Sequence, residues 1–223
     1  MKIKLLMLLA ISAVLNSCGQ KKNEQSFEGI ITYKVSFISK SDNVKYNDYQ
    51  KQKFGEKLKT YILKNGSFKQ EYLLSGDKGY DFVIYNSLSN KSYAKWRNID
   101  TTYTSNCATN SLILNVEKDL PVEKVYGQLC EGYLISSVEP NSGQKVSVTY
   151  FYPKNKEYLN PTFYKNFKDG FYDKVSKKMK SPFYKMIMDM ENYIVTFEVE
   201  KIEKTIVNPK LLEMPNGIPL KEI

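Results

Sequence analysis

The side chains able to do chemistry in this chain are few, and their spacing is open. There is no histidine among its 223 residues. That absence removes Ser-His-Asp and Cys-His nucleophilic catalysis, histidine-ligated zinc and the commonest general base at neutral pH. The three cysteines are Cys18, Cys107 and Cys130. None forms the Cys-x-x-Cys pair of a redox motif. Carboxylates are scattered without a close Asp/Glu constellation. The chain carries neither a glycine-rich phosphate loop nor a Gly-x-Ser-x-Gly elbow. Met186, Met188 and Met190 alternate along one short stretch. Thioethers at that spacing are soft ligands for copper(I), a deformable apolar wall for a lipid, or ordinary core packing. This inventory predicts a non-catalytic protein with no cofactor and no resident metal.

The N-terminus locates the protein. Lys2 and Lys4 precede an apolar run from Leu5 to Leu15 that is too short to span a bilayer. This is the layout of a secretory signal, expected over residues 1–17. The run ends in Leu15-Asn16-Ser17-Cys18, which resembles the lipobox of bacterial lipoproteins. In that family the cysteine receives acyl chains and becomes the mature N-terminus. The resemblance therefore implies membrane attachment through acylated Cys18. Secretory cleavage after Ser12 in Ala10-Ile11-Ser12 is the alternative. Residues 18–26 read as a flexible polar tether and residues 27–223 as a single β domain. Gly19-Gln20-Lys21-Lys22 lacks the acidic cluster of many surface-exported lipoproteins. The expected location is thus the bacterial cell envelope, on the outer membrane facing the periplasm. With Cys18 acylated, two cysteines remain in an oxidising compartment, so a Cys107–Cys130 disulfide is expected. Closing a loop of about 24 residues would contribute roughly 3 kcal/mol.

The formal net charge is +9. The densest basic cluster is Lys174 to Lys180, which could face anionic lipid, lipopolysaccharide or acidic glycan. Nucleic acid is disfavoured by the export signal and by a single arginine, Arg97.

Most of the chain alternates as half-buried antiparallel sheet does. Phe27, Ile31, Tyr33, Val35 and Phe37 share one face of a first strand. Residues 40–56 read as a loop. Strands over 57–63 and 68–74 flank Asn65-Gly66, the favoured pair for a type I′ turn. Further strands are predicted at 80–85, 91–97 and, less regularly, 101–104. Two short apolar runs, 112–116 and 122–125, stand either side of Pro121. A second hairpin joins 131–138 to 144–152. The fourfold spacing of Phe163, Phe167, Phe171, Val175 and Met179 predicts one helix, from Asn160-Pro161 to Ser181-Pro182, weakened at Gly170. Strands over 184–190 and 193–199 follow, with a bulge near Glu200-Lys201 where the alternation changes phase. About ten strands and one helix result.

The order of these features is familiar. Phe27-Glu28-Gly29-Ile30-Ile31-Thr32-Tyr33 follows a lipidated tail, Tyr126-Gly127-Gln128-Leu129-Cys130-Glu131-Gly132-Tyr133 leads into a central strand, and Val199-Glu200-Lys201-Ile202 precedes Asn208-Pro209-Lys210-Leu211-Leu212-Glu213-Met214-Pro215. Over residues 27–215 this resembles the envelope lipoproteins of the GLPGLI type, which in turn resemble the lipoprotein-localisation-factor fold. The Gly-Leu-Pro-Gly-Leu-Ile signature itself is absent. The resemblance implies a curved antiparallel sheet, an open or half barrel, with a helix over a hollow that holds acyl chains. On that reading Phe163, Phe167, Phe171, Met186, Met188 and Met190 would line a site for a lipid or other apolar ligand. The alternative is a structural or adaptor lipoprotein that binds envelope protein or glycan.

Overall fold

The computed structural model describes residues 25–154, 156–215 and 217–223. The expected signal segment and Cys18 lie outside the described residues. Twelve strands form one open sheet: β1 (Gly29–Ser39), β2 (Lys57–Ile62), β3 (Phe68–Leu73), β4 (Tyr80–Asn86), β5 (Lys91–Trp96), β6 (Thr102–Asn106), β7 (Ile113–Val125), β8 (Gln128–Val138), β9 (Lys145–Pro153), β10 (Lys185–Met190), β11 (Tyr193–Lys204) and β12 (Leu220–Glu222). Their spatial order is β12-β6-β5-β4-β3-β2-β1-β11-β10-β9-β8-β7. Among the described residues the protein is mainly β, with two α-helices where the sequence suggested one: α1 (Val44–Phe54) and α2 (Tyr172–Met179).

The order joins two meanders at a central seam. β2 to β6 run outward on one side of β1, and β11 back to β7 run outward on the other. Every neighbouring pair is antiparallel except β12, which returns parallel to β6. Residues directly opposed across strands share a face. Tyr33 pairs with both Leu58 and Val199, and Val35 with Phe197. These side chains lie on the covered face of the sheet and form the core with Ile31, Tyr133, Tyr150 and Val195. The expected bulge is present: Thr32 pairs with Lys201 and Tyr33 with Val199, leaving Glu200 unopposed.

Four local expectations change. Residues 44–54 form α1, not a loop. Asn43 caps it by accepting the Tyr46 N–H, and Gln50 and Phe54 are its buried residues. So few buried positions leave no apolar stripe for the eye to find. The first hairpin closes through a three-residue loop, because Leu63 N–H reaches the Ser67 carbonyl and Gly66 N–H the Leu63 carbonyl. In this turn only Gly66 takes a positive φ, +82°, so it is a type I turn with a left-handed glycine. The runs either side of Pro121 are one 13-residue strand, β7. The register shift between Leu120 and Glu123 absorbs the proline, and β7 is an edge strand where a missing N–H is harmless.

The fourth change is in the predicted long helix. Pro161–Tyr164 is a 3-10 turn, Asp169–Phe171 is another, and regular helix begins only at Tyr172. Gly170 and Phe171 both sit in the left-handed region, at φ +57° and +60°. The segment 160–183 still covers the sheet. Val175, Met179 and Tyr164 are buried beneath it. Lys174 and Lys178 tie α2 to the edge strand β7 through Glu117 and Asp119, at 2.9 and 2.7 Å.

Candidate functional site

The six residues expected to hold an apolar ligand all pack, partly buried, against one core. Phe163 stands over the β2–β3 turn, and Phe167 stacks on Tyr85 of β4 with ring centroids 4.3 Å apart. Met186, Met188 and Met190 lie on β10, on the other side of β1 in the sheet order. Met186 opposes Phe197 and Tyr150, and Met188 opposes Val195 and Val148. A pocket between the cover and the sheet, walled by Tyr33, Ile62, Leu159, Tyr164 and Phe183, measures about 30 Å³. That admits a water molecule and is far below the roughly 300 Å³ of a small-molecule pocket. Thr60 and Gln70 also line it, and the buried Thr60 hydroxyl has no hydrogen-bond partner among the described residues.

The expected disulfide is corrected. Cys107 and Cys130 are separate, buried free thiols. Cys107 follows β6 and Cys130 lies in β8, second from opposite edges of the sheet. Short sequence separation misleads here because the chain crosses from one edge to the other between β6 and β7. Burial pushes the Cys130 thiol up to about 11, and the Cys107 thiol up as well. Arg97 is structural: its guanidinium donates to Ser75 Oγ at 2.6 Å and to the Tyr72 carbonyl at 2.8 Å, clamping the β3–β4 turn. Among the described residues no three His, Cys, Asp or Glu side chains converge as a metal site, and no helix is long and apolar enough to cross a membrane.

An open cleft exists elsewhere on the fold. A row of aromatic rings crosses β3 to β6 on the covered face: Tyr72 and Tyr80 at 5.1 Å, Tyr80 and Trp96 at 4.9 Å, Trp96 and Tyr103 at 5.4 Å edge-on. Alternation in each strand puts these residues on one side. One end of the row is sealed by α1, whose Phe54 packs on Tyr80, Tyr193 and Phe197. Lys53 stands over the rings of Phe54 and Tyr80 at 5.4 Å, and its burial lowers its ammonium pKa. The other end opens into a cleft of about 500 Å³ lined by Trp96, Tyr103, Tyr49, Ile99 and Ile223, with Asp77, Lys78 and Asn98 as its polar groups.

That combination suits a ligand with both an apolar face and hydroxyls. Indole and phenol rings offer flat apolar surface, while a carboxylate accepts and an amide both donates and accepts hydrogen bonds. No sequence pattern marks this cleft. Its residues come from α1, two turns, two strands and the C-terminal end, and share no local spacing. The chain matches no family model and no curated protein.

Proposed function

We propose that this protein is a lipid-anchored, non-catalytic binding module of the bacterial cell envelope that takes a glycan in the Trp96 cleft. The observation that carries the reading is the cleft itself: apolar aromatic walls, a polar rim and about 500 Å³ of open space. A pyranose presents a C–H-lined face that packs on an aromatic ring, and its hydroxyls would meet Asp77 and Asn98. The anchor is acylated Cys18, and the resemblance to GLPGLI-type lipoproteins supports both the anchor and a curved, half-barrel sheet. An acyl chain under the cover is the poorer reading, because residues 160–183 would have to lift from the sheet to admit it.

Trp96 is the sole tryptophan, so its fluorescence reports on the cleft directly. Titration with soluble oligosaccharides from peptidoglycan, lipopolysaccharide core and capsular polymers should give a saturable shift for one class. Calorimetry should then show the heat lost in Asp77→Ala and Tyr103→Ala. A flat response to every glycan, together with a fatty acid retained by the protein in native mass spectrometry, would overturn the glycan reading in favour of the lipid one.

A further inference from the structure

A large recess lies against both ends of the cover, residues 160–162 and 178–180. It measures about 790 Å³ and is lined by Lys154, Lys156, Lys178 and Lys180, with Glu131 as its lone carboxylate. Three segments bring these lysines together: the chain leaving β9, α2, and the residue that ends α2. Lys180 is held in place by its backbone. It adopts φ +50°, donates its N–H to the Ser176 carbonyl, and accepts the Leu159 N–H at 2.8 Å. Lys154 is paired with Glu131 at 2.9 Å and Lys178 with Asp119 at 2.7 Å. Lys156 and Lys180 make no ion pair among the described residues. Tyr152, Tyr158, Asn160 and Thr162 add hydroxyl and amide groups to the wall. Convergent cations with too few carboxylates attract an anion rich in acceptor oxygens.

The same recess borders the place where the N-terminal tether joins the fold. Phe27 N–H donates to the Tyr158 carbonyl at 2.5 Å, and Asn160 N–H to Ser26 Oγ at 3.1 Å. Eight residue steps separate Ser26 from Cys18, a reach of at most roughly 28 Å. A bilayer holding an acylated Cys18 is therefore within that distance of Ser26, which bonds to Asn160 in the wall of the recess.

We propose that this recess docks on the membrane that holds the anchor, taking the phosphates of anionic lipid headgroups between Lys156, Lys180 and Lys178. The proposal rests on the anchored reading above and adds an orientation to it: the α2 end of the sheet faces lipid and the Trp96 cleft is carried elsewhere on the molecule. Each lysine close to an anionic surface contributes about fivefold in partitioning, and the effect fades with salt.

The test uses the mature chain carrying Cys18→Ser, so that no acyl chain contributes, sedimented with vesicles of phosphatidylcholine alone or with three parts in ten phosphatidylglycerol. Binding is expected only to the anionic vesicles, and to fall steeply between 50 and 500 mM salt. The pair Lys156→Gln and Lys180→Gln should lower it about 25-fold, while Lys45→Gln with Lys51→Gln, two exposed lysines of α1, should change it less than twofold. Trp96→Ala should bind vesicles as the parent does, which separates this outcome from failure of the glycan reading. Equal losses in the two lysine pairs would reduce the effect to bulk charge and overturn the proposal. So would saturable binding of inorganic phosphate without any vesicle binding.

Discussion

Tyr164 donates its hydroxyl proton to the carbonyl of Gly66 at 2.8 Å, across 98 positions of sequence. The bond is buried and fastens the cover to the turn of the first hairpin. Tyr164→Phe leaves a buried carbonyl without that partner and should cost about 1–3 kcal/mol in urea unfolding. Gly66→Ala should cost at least as much. Its Cβ would meet Phe163 at 2.6 Å, on a backbone at φ +82° that alanine resists.

Gly170 separates two descriptions of the cover by the sign of one measurement. In a continuous helix Gly170→Ala would stabilise by about 1 kcal/mol. The residue sits at φ +57° with open space where a Cβ would go. The substitution should therefore destabilise by about 1–2 kcal/mol through backbone conformation alone. Thermal unfolding of the single variant reads the difference.

The two core thiols should be silent in the folded protein. With Cys18→Ser in place, Cys107 and Cys130 are expected to resist a thiol reagent at pH 8 and both to react in denaturant. Burial favours the neutral thiol over the reactive thiolate. Reductant should leave the unfolding midpoint unmoved. A midpoint that drops on reduction would mean the two sulfurs are joined.

Stability should be lost on the alkaline side. Burial raises Tyr80, Tyr85 and Tyr193 from 10.0 to about 12, and Cys130 from 9.0 to about 11. These groups are neutral when folded. Their contribution is intact below about pH 9 and declines as pH rises through 9 to 12, where the unfolded chain ionises first. Denaturant midpoints recorded from pH 7 to 11, with tyrosinate absorbance followed in parallel, should fall from about pH 9 upward.

Much of the sheet could be read from the residues because strands such as β1 and β11 alternate between a buried and a wetter face. Tyr193, Val195, Phe197 and Val199 announce their strand, and the phase change after Val199 located the bulge at Glu200. Other elements were hidden for physical reasons. α1 buries so little of itself that its residues show no period. Phe163, Phe167 and Phe171 keep a helical spacing across two short 3-10 turns, so Gly170 read only as a weak point in one helix and not as a break. Pro121 split one edge strand into two apparent runs. Of the two proposed surfaces, the lysine density of residues 174–180 was visible as composition. The aromatic cleft was not, because Trp96, Tyr103 and Ile223 become neighbours only through the pairing of β5, β6 and β12, and Tyr49 reaches them from α1.

The central seam has a consequence for the route by which the chain acquires its structure. β1 is the first strand described, yet its second edge is completed by β11, the eleventh of twelve. Each flanking meander can assemble from neighbours in sequence, while the pairing of Val35 with Phe197 must wait for almost the whole polypeptide. Until then Ile31, Tyr33 and Val35 present an apolar, half-paired ribbon. So long-range a closure slows folding and leaves that ribbon open to association with other chains. Export through a membrane from the N-terminus, as proposed above, would expose β1 first and shelter it last, and the yield of exported protein would then depend on a holding chaperone on the far side.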